Sequence, residues 1–130
     1  MAQIKGILVN DGGAPARILN FIAAAAISAG AGLRIDAAGK AALATDNNLP
    51  LAGVALTDAA ADKQCSMVTG SGVILYMVCK LDVNRGDSLM TDGSVVGSLE
   101  AWVLTGENTA VAYALEDAPA AGGLTKVLVI

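Results

Sequence analysis

The stretch Leu51–Val68 in the middle of this chain recurs in a recognisable form near its end. Ala55-Leu56-Thr57-Asp58-Ala59 aligns with Ala114-Leu115-Glu116-Asp117-Ala118 at an offset of 59 residues, and the same offset places Val68 on Val127. Each copy consists of a short apolar segment, a turn of small residues with two acids, and a second apolar segment. Two β-strands joined by a turn have this pattern. The chain is therefore predicted to contain two related β units.

A second block of residues extends the repeat towards the start of the chain. At an offset of 56, four residues of the first half match four of the second, namely Ile27, Gly30, Leu33 and Asp36 with Val83, Gly86, Leu89 and Asp92. A change of offset from 56 to 59 needs only a short insertion between the two blocks, which a loop accommodates at little cost. The sequence thus predicts an internal duplication with copies at about 27–70 and 83–130.

Short apolar segments separated by turns are typical of the whole chain. Gly72–Cys79 is a continuous apolar run, which predicts a strand covered on both faces, and Leu99–Thr105 is a further strand with the single tryptophan. The 15 glycines and the closely spaced turns favour many short strands. We therefore expect an all-β fold, a small barrel or sandwich with little helix.

The segment Ala16–Ser28 permits two interpretations. Its run of alanines from Ala23 to Ala26 favours a helix, whereas apolar residues alternate with period two along Leu19–Ile27. We prefer the extended interpretation, because the corresponding part of the second half has no helical character.

The first fifteen residues are predicted to form an N-terminal arm or an edge strand, and residues 16–130 a single β domain. Ile4–Val9 has β-compatible composition and is followed by turn-forming residues. Such a segment either adds to the sheet of a neighbouring protein or pairs within its own sheet. Both alternatives stay open from the sequence.

Charge and hydrophobicity exclude some classes of partner. The net charge is -4, and the eight basic residues are spread along the chain, so the clustered cations that bind nucleic acid are missing from the sequence. No apolar run has the length of a membrane span, and the first residues do not resemble a secretory signal. We therefore expect a protein made in the cytoplasm that binds neither nucleic acid nor membranes. Because 55% of residues are hydrophobic, we expect the surface to need a protein partner.

The sequence offers little for catalysis, and we predict no catalytic, cofactor-binding or metal-binding residue and no enzyme activity. There is no histidine, the commonest general base and metal ligand. Cys65 and Cys79 lack metal-site spacing and are expected to be reduced core residues, although a disulfide stays geometrically allowed. The acids of the repeat are interpreted as turn-stabilising residues rather than as a carboxylate site, because acids recur in both copies: Asp58, Asp62, Glu116 and Asp117.

The order of small and apolar segments resembles the capsid cement, or decoration, proteins of tailed bacteriophages. The resemblance covers most of residues 16–130 and rests on segments of both halves: Asn20–Ile27, Gly32–Asp36, Gly39–Ala44, Leu51–Ala61, Val68–Val73, Arg85–Leu89 and Tyr113–Asp117. It implies a β-rich structural virion protein, often a homotrimer, that binds the major capsid protein on the outer surface of the head and stabilises the lattice. Many modest contacts repeated on such a lattice give tight attachment.

Six apolar residues are the expected contacts with the capsid or with neighbouring subunits: Ile4, Ile7, Val9, Val73, Leu75 and Trp102. Two other classes of protein fit the same sequence. One is a homo-oligomeric ligand-binding β-barrel, which requires a pocket with converging polar groups. The other is a tail-tube or fibre subunit, which stacked rings rather than a closed trimer would distinguish.

Overall fold

The chain folds as an all-β protein, as its sequence predicts. A computed structural model describes residues 8–10, 17–45, 51–69, 72–92, 97–102, 110–120 and 122–129, and these contain no helix, hence none that could cross a membrane. The strands are β1 (Leu8–Asn10), β2 (Arg17–Ile22), β3 (Gly32–Ile35), β4 (Ala41–Leu43), β5 (Gly53–Ala55), β6 (Gln64–Thr69), β7 (Ile74–Cys79), β8 (Ser88–Thr91), β9 (Leu99–Ala101), β10 (Ala112–Ala114) and β11 (Gly123–Val129). The extended interpretation of Ala16–Ser28 is thus confirmed over β2.

The strands form two sheets, one from each half of the chain. The first half has five strands in the order β2-β6-β5-β3-β4, and the second has the order β7-β11-β10-β8-β9 with β1 added beside β7. Each half curls so that the two end strands of its sheet meet, β2 and β4 in the first half and β7 and β9 in the second. Cys79 pairs with Leu99 in parallel, and Ala23 pairs with Ala41 in the same way. Each half is therefore a small barrel closed along a short parallel seam.

The two barrels repeat one another strand by strand. Residue numbers differ by 56 between β2 and β7 and between β3 and β8, by 58 between β4 and β9, by 59 between β5 and β10, and by 60 between β6 and β11. Cross-strand partners follow the same rule: Leu33 lies opposite Leu43 and Leu89 opposite Ala101. The structure thus displays an internal duplication, whose copies begin with β2 and β7 rather than at the predicted residues 27 and 83.

One detail of the sequence alignment is wrong. Tyr113 pairs with Leu128 as Val54 pairs with Val68, so the counterpart of Val68 is Leu128 rather than Val127. The second half has one additional residue in the turn between β10 and β11, which shifts the last strand. Because adjacent strand residues face opposite sides, this single residue decides which side chains enter the core.

Backbone angles at the turns repeat as well. Gly30 and Gly86 have φ of 88° and 89°, and Gly39 and Gly97 both have φ of 78°. Asp62, with φ of 63°, corresponds to Gly122, with φ of 75°. These left-handed angles suit glycine and are tolerated by aspartate, so the turns keep their shape although the residue types differ.

Each barrel has its own buried interior. That of the first half includes Leu33, Met67 and Cys65, and that of the second includes Leu89, Val127 and Cys79. Both cysteines are free and buried, which confirms that they are reduced core residues. Val54 and Val68, on the outer face of the first barrel, belong to the buried cluster of the second and so hold the two barrels together.

Candidate interaction surface

Two acids of the repeat, Asp58 and Asp117, stabilise turns, whereas Asp62 forms an exposed ion pair with Lys40. Asp58 Oδ1 accepts a hydrogen bond of 2.7 Å from the Ala29 backbone N–H, and Asp117 Oδ1 accepts one of 2.8 Å from that of Arg85. These bonds are equivalent, since Ala29 and Arg85 differ by 56 and the two aspartates by 59. The carboxylates thus hold the turn that follows the first strand of each half, as the sequence interpretation expects.

Removing either aspartate is expected to weaken the turn that it holds. Asp58→Ala and Asp117→Ala each remove a charge-assisted hydrogen bond to a backbone N–H, so each should lower the free energy of unfolding by about 1 kcal/mol in urea titrations. Asp62→Asn is the control, because it alters only an exposed ion pair with Lys40 and should cost less than about 0.5 kcal/mol. Unchanged stability of both alanine variants would contradict the turn role.

Glu116 and Lys80 also serve the fold. Glu116 Oε1 accepts a hydrogen bond of 3.0 Å from the Lys126 backbone N–H. Lys80 Nζ lies 2.8 Å from Glu100 Oε2 and 3.3 Å from Asp92 Oδ2, where β7 meets β9, and the hydrogen bonds to these carboxylates raise the pKa of Lys80. Within the ranges that the structure describes, no three Cys, Asp or Glu side chains are grouped so as to hold a metal ion.

The cysteines are shielded rather than activated. Burial raises the pKa of the Cys79 thiol to about 11, against a smaller opposing effect of its hydrogen bond with Thr125, and burial also raises the pKa of Cys65. A reactive cysteine needs a lowered pKa and access to solvent. Neither thiol has these properties.

The predicted contact residues have different outcomes. Ile4 and Ile7 lie outside the described residues, and the strand that contains Val9 pairs with β7 of its own chain. Trp102 is half-buried, and its backbone N–H donates to Ser88 at 2.7 Å. Val73 and Leu75 are core residues with no exposed surface to offer a partner, so their assignment to a contact is corrected.

The error at Val73 and Leu75 has a structural cause. In β7, inward side chains are buried and the alternate ones, Ile74, Tyr76 and Val78, are half-buried. The Gly30 turn of the first half covers part of this second face, where a Cβ on Gly30 would lie 3.7 Å from the Val78 side chain. The continuous apolar run therefore reflects the duplicated fold, since the neighbour on the second face belongs to the same chain.

A group of exposed apolar side chains lies instead on β2. Ile18 is 55% exposed and Ile22 45%, and Leu19 is exposed as well. The counterpart strand β7 is flanked by β1, whereas in the part of the chain that the structure describes β2 has no strand on its side opposite β6 and forms an open edge up to the seam at Ala23. An apolar edge strand is a site for adding another protein segment.

A groove runs beside this edge. It has a volume of about 530 Å³ and lies between β2 and the turn that contains Gly39. Its lining is mixed, with apolar, amide and charged groups: Asn20, Phe21, Ile22, Ala38, Gly39, Lys40 and Gln64. We call β2 together with this groove the β2 surface.

Comparison with known proteins identifies a shared fold. No family model and no curated protein matches the sequence. Among solved structures, the chain is similar to the head fibre gp8.5 N base of bacteriophage phi29, with a TM-score of 0.66 and 18% sequence identity, over 89% of this chain and 95% of that one. At this identity the likeness shows that the two proteins share a fold.

Proposed function

We propose that this chain is a structural protein of a bacteriophage head, a decoration protein that binds the outer surface of the capsid and stabilises the major capsid protein lattice. The observation that carries the proposal is the fold shared with a phage head fibre base over nearly the whole of both chains. The sequence resemblance to capsid cement proteins, from segments of both halves, points to the same place in the virion. The two lines of support use different features of the chain.

The properties of the surface suit this role. A decoration protein needs faces that bind other proteins, and the β2 surface supplies an apolar edge beside a groove. Asp58 and Asp117 hold turns rather than form a carboxylate site, which fits a protein that contributes binding rather than catalysis. We propose a closed homotrimer as the bound form, because several attached subunits multiply a modest affinity for the capsid.

Stabilisation of heads is the direct test. Heads that lack this protein should release DNA at a lower temperature than complete heads, and adding the purified chain should restore the difference. Full occupancy at a hundredfold excess over Kd would stabilise each site by about 2.7 kcal/mol. The measurement is DNA release against temperature, with dye fluorescence as the readout, and heat-denatured protein is the control. Failure to bind heads at all would contradict the proposed function.

A head fibre base is the second candidate, and the name of the phi29 structure favours it. A fibre base attaches to the head in order to carry a further segment, so it needs affinity but need not reinforce the lattice. Binding to heads without any change in the temperature of DNA release would therefore favour the fibre base over the decoration protein.

A further inference from the structure

The contact between the two barrels is directional. The first barrel presents the turn that contains Gly30, which contacts β7, and the outer face that contains Val54, which joins the buried cluster of the second barrel. Gly30 O accepts a hydrogen bond of 3.0 Å from the Val78 N–H, and Gly97 O of the second barrel accepts one of 2.8 Å from Gly32 N–H. The two barrels therefore use different surfaces, although they share one fold.

The second barrel carries the same presenting surface, which the described residues leave exposed. Gly86 is the counterpart of Gly30 and has the same φ, yet a Cβ placed on it would meet no described atom within 4 Å. Tyr113 is the counterpart of Val54, and it is 43% exposed whereas Val54 is 1% exposed. The face that joins the barrels thus recurs in the second half without a partner among the described residues.

The first barrel carries the corresponding receiving surface. Along β2, Ala23 N–H donates to Lys63 on the β6 side and Ala24 N–H donates to Ala41 on the opposite side. Because N–H groups alternate in direction along a strand, the Ile22 N–H points away from β6. The N–H of its counterpart Val78 lies on the corresponding side of β7 and donates to Gly30 O.

The groove of the β2 surface is the unfilled equivalent of the joint between the barrels. Its residues Ile22, Gly39 and Lys40 correspond to Val78, Gly97 and Ser98. In the second barrel, residues of the first barrel occupy the space at those positions. They leave a cavity of about 220 Å³, which is lined in part by Ser28, Ala31 and Leu43. In the first barrel the same place is an open groove of about 530 Å³.

We propose that a second copy of this chain occupies the β2 surface, with its Gly86 turn and Tyr113 face repeating the contact that joins the two barrels. Gly86 O of one copy accepts the Ile22 N–H of the next, and the Ser88 N–H donates to Gly39 O, as Gly32 N–H donates to Gly97 O within the chain. Ile22 then packs against the Gly86 turn as Val78 packs against Gly30. The occupant follows from continuity with a contact that the chain already makes.

This contact joins unlike surfaces, so it propagates from copy to copy and either closes into a ring or continues as a filament. The inference does not rest on attachment to a capsid. It gives the self-association in the proposed function a definite pair of surfaces, one on each barrel.

The test is the mass of the purified protein in solution. The wild type should sediment as an oligomer, and Ile22→Glu, which places a charge in the contact, should weaken association by at least about 30-fold, as loss of an interface hot spot does. Tyr113→Glu should do the same from the opposite surface. Leu81→Glu is the control, because Leu81 is 66% exposed in a turn outside both surfaces, and it should leave the oligomer intact. Circular dichroism confirms folding of each variant, and Ile22→Asn replaces Ile22→Glu if the latter does not fold.

Mixing the two variants separates this contact from a symmetric one. Ile22→Glu keeps an intact Tyr113 face and Tyr113→Glu keeps an intact β2 surface, so their mixture should form a 1:1 dimer that neither forms alone. A symmetric pairing of two β2 strands would instead leave Tyr113→Glu fully associated. That result, or a monomeric wild type, overturns the inference. A monomer that still binds heads leaves the decoration role standing without the homotrimer, whereas an oligomer that does not bind heads overturns only the decoration role.

Discussion

Gly53→Ala should lower the free energy of unfolding by about 3 kcal/mol, the upper part of the range for overpacked cores. A Cβ at Gly53 would lie 2.7 Å from the Val68 backbone oxygen and 2.6 Å from Met67 Sδ, and it would also contact Met67 Cγ. The methionine side chain can move, but the backbone oxygen belongs to the adjacent strand β6. The methyl group therefore forces β5 away from β6 in the centre of the first barrel. Urea denaturation followed by tryptophan fluorescence measures the loss.

The duplicated barrel supplies the control for this substitution. Ala112 occupies the position of Gly53 in the second half, where Val127 replaces the longer Met67. Ala112→Gly should therefore cost only about 1.5 kcal/mol, the penalty of a glycine in a strand plus the loss of one buried methyl group. Met67→Val added to Gly53→Ala recreates the pair of the second half and should recover part of the loss. A double variant less stable than the sum of the single changes would contradict this account.

The repeat in the sequence predicted the two-copy β architecture, because the residues that shape the turns occur at equivalent positions in both halves. Gly30 with Gly86 and Asp58 with Asp117 occupy equivalent places, and each performs the same backbone task twice. The edge strands of the repeat were less predictable. β2 and β7 share their pairing and the dipeptide Ile-Leu at equivalent positions, but their surroundings differ, since one is open to solvent and the other is covered by β1 and the Gly30 turn.

The interaction surface was harder to predict than the fold, for a physical reason. Hydrophobicity in sequence does not distinguish a strand covered by its own chain from one covered by a partner. Leu75 and its counterpart Leu19 are both leucines in apolar strands, yet Leu75 is buried and Leu19 is exposed. Only the packing of one barrel on the other assigns the two residues to different environments.

The same packing predicts that the two barrels unfold together. Val54 and Val68 belong to the first barrel but are buried in the cluster of the second, so neither barrel keeps its buried surface when the other opens. Proteins with such a shared core behave as one cooperative unit. The fold should therefore show a single thermal transition although it is built from two similar halves.

Equivalent core substitutions test this cooperativity. Leu33 and Leu89 are counterparts, each fully buried in its own barrel, so Leu33→Ala and Leu89→Ala should each cost about 3 kcal/mol. For a chain of this length the midpoint should fall by roughly 10 °C in calorimetry, as one peak for either variant. Leu81→Ala, at an exposed turn, should change stability by less than about 0.5 kcal/mol. Two peaks, of which each variant moves only one, would show that the barrels are independent and that the burial of Val54 and Val68 contributes little to stability.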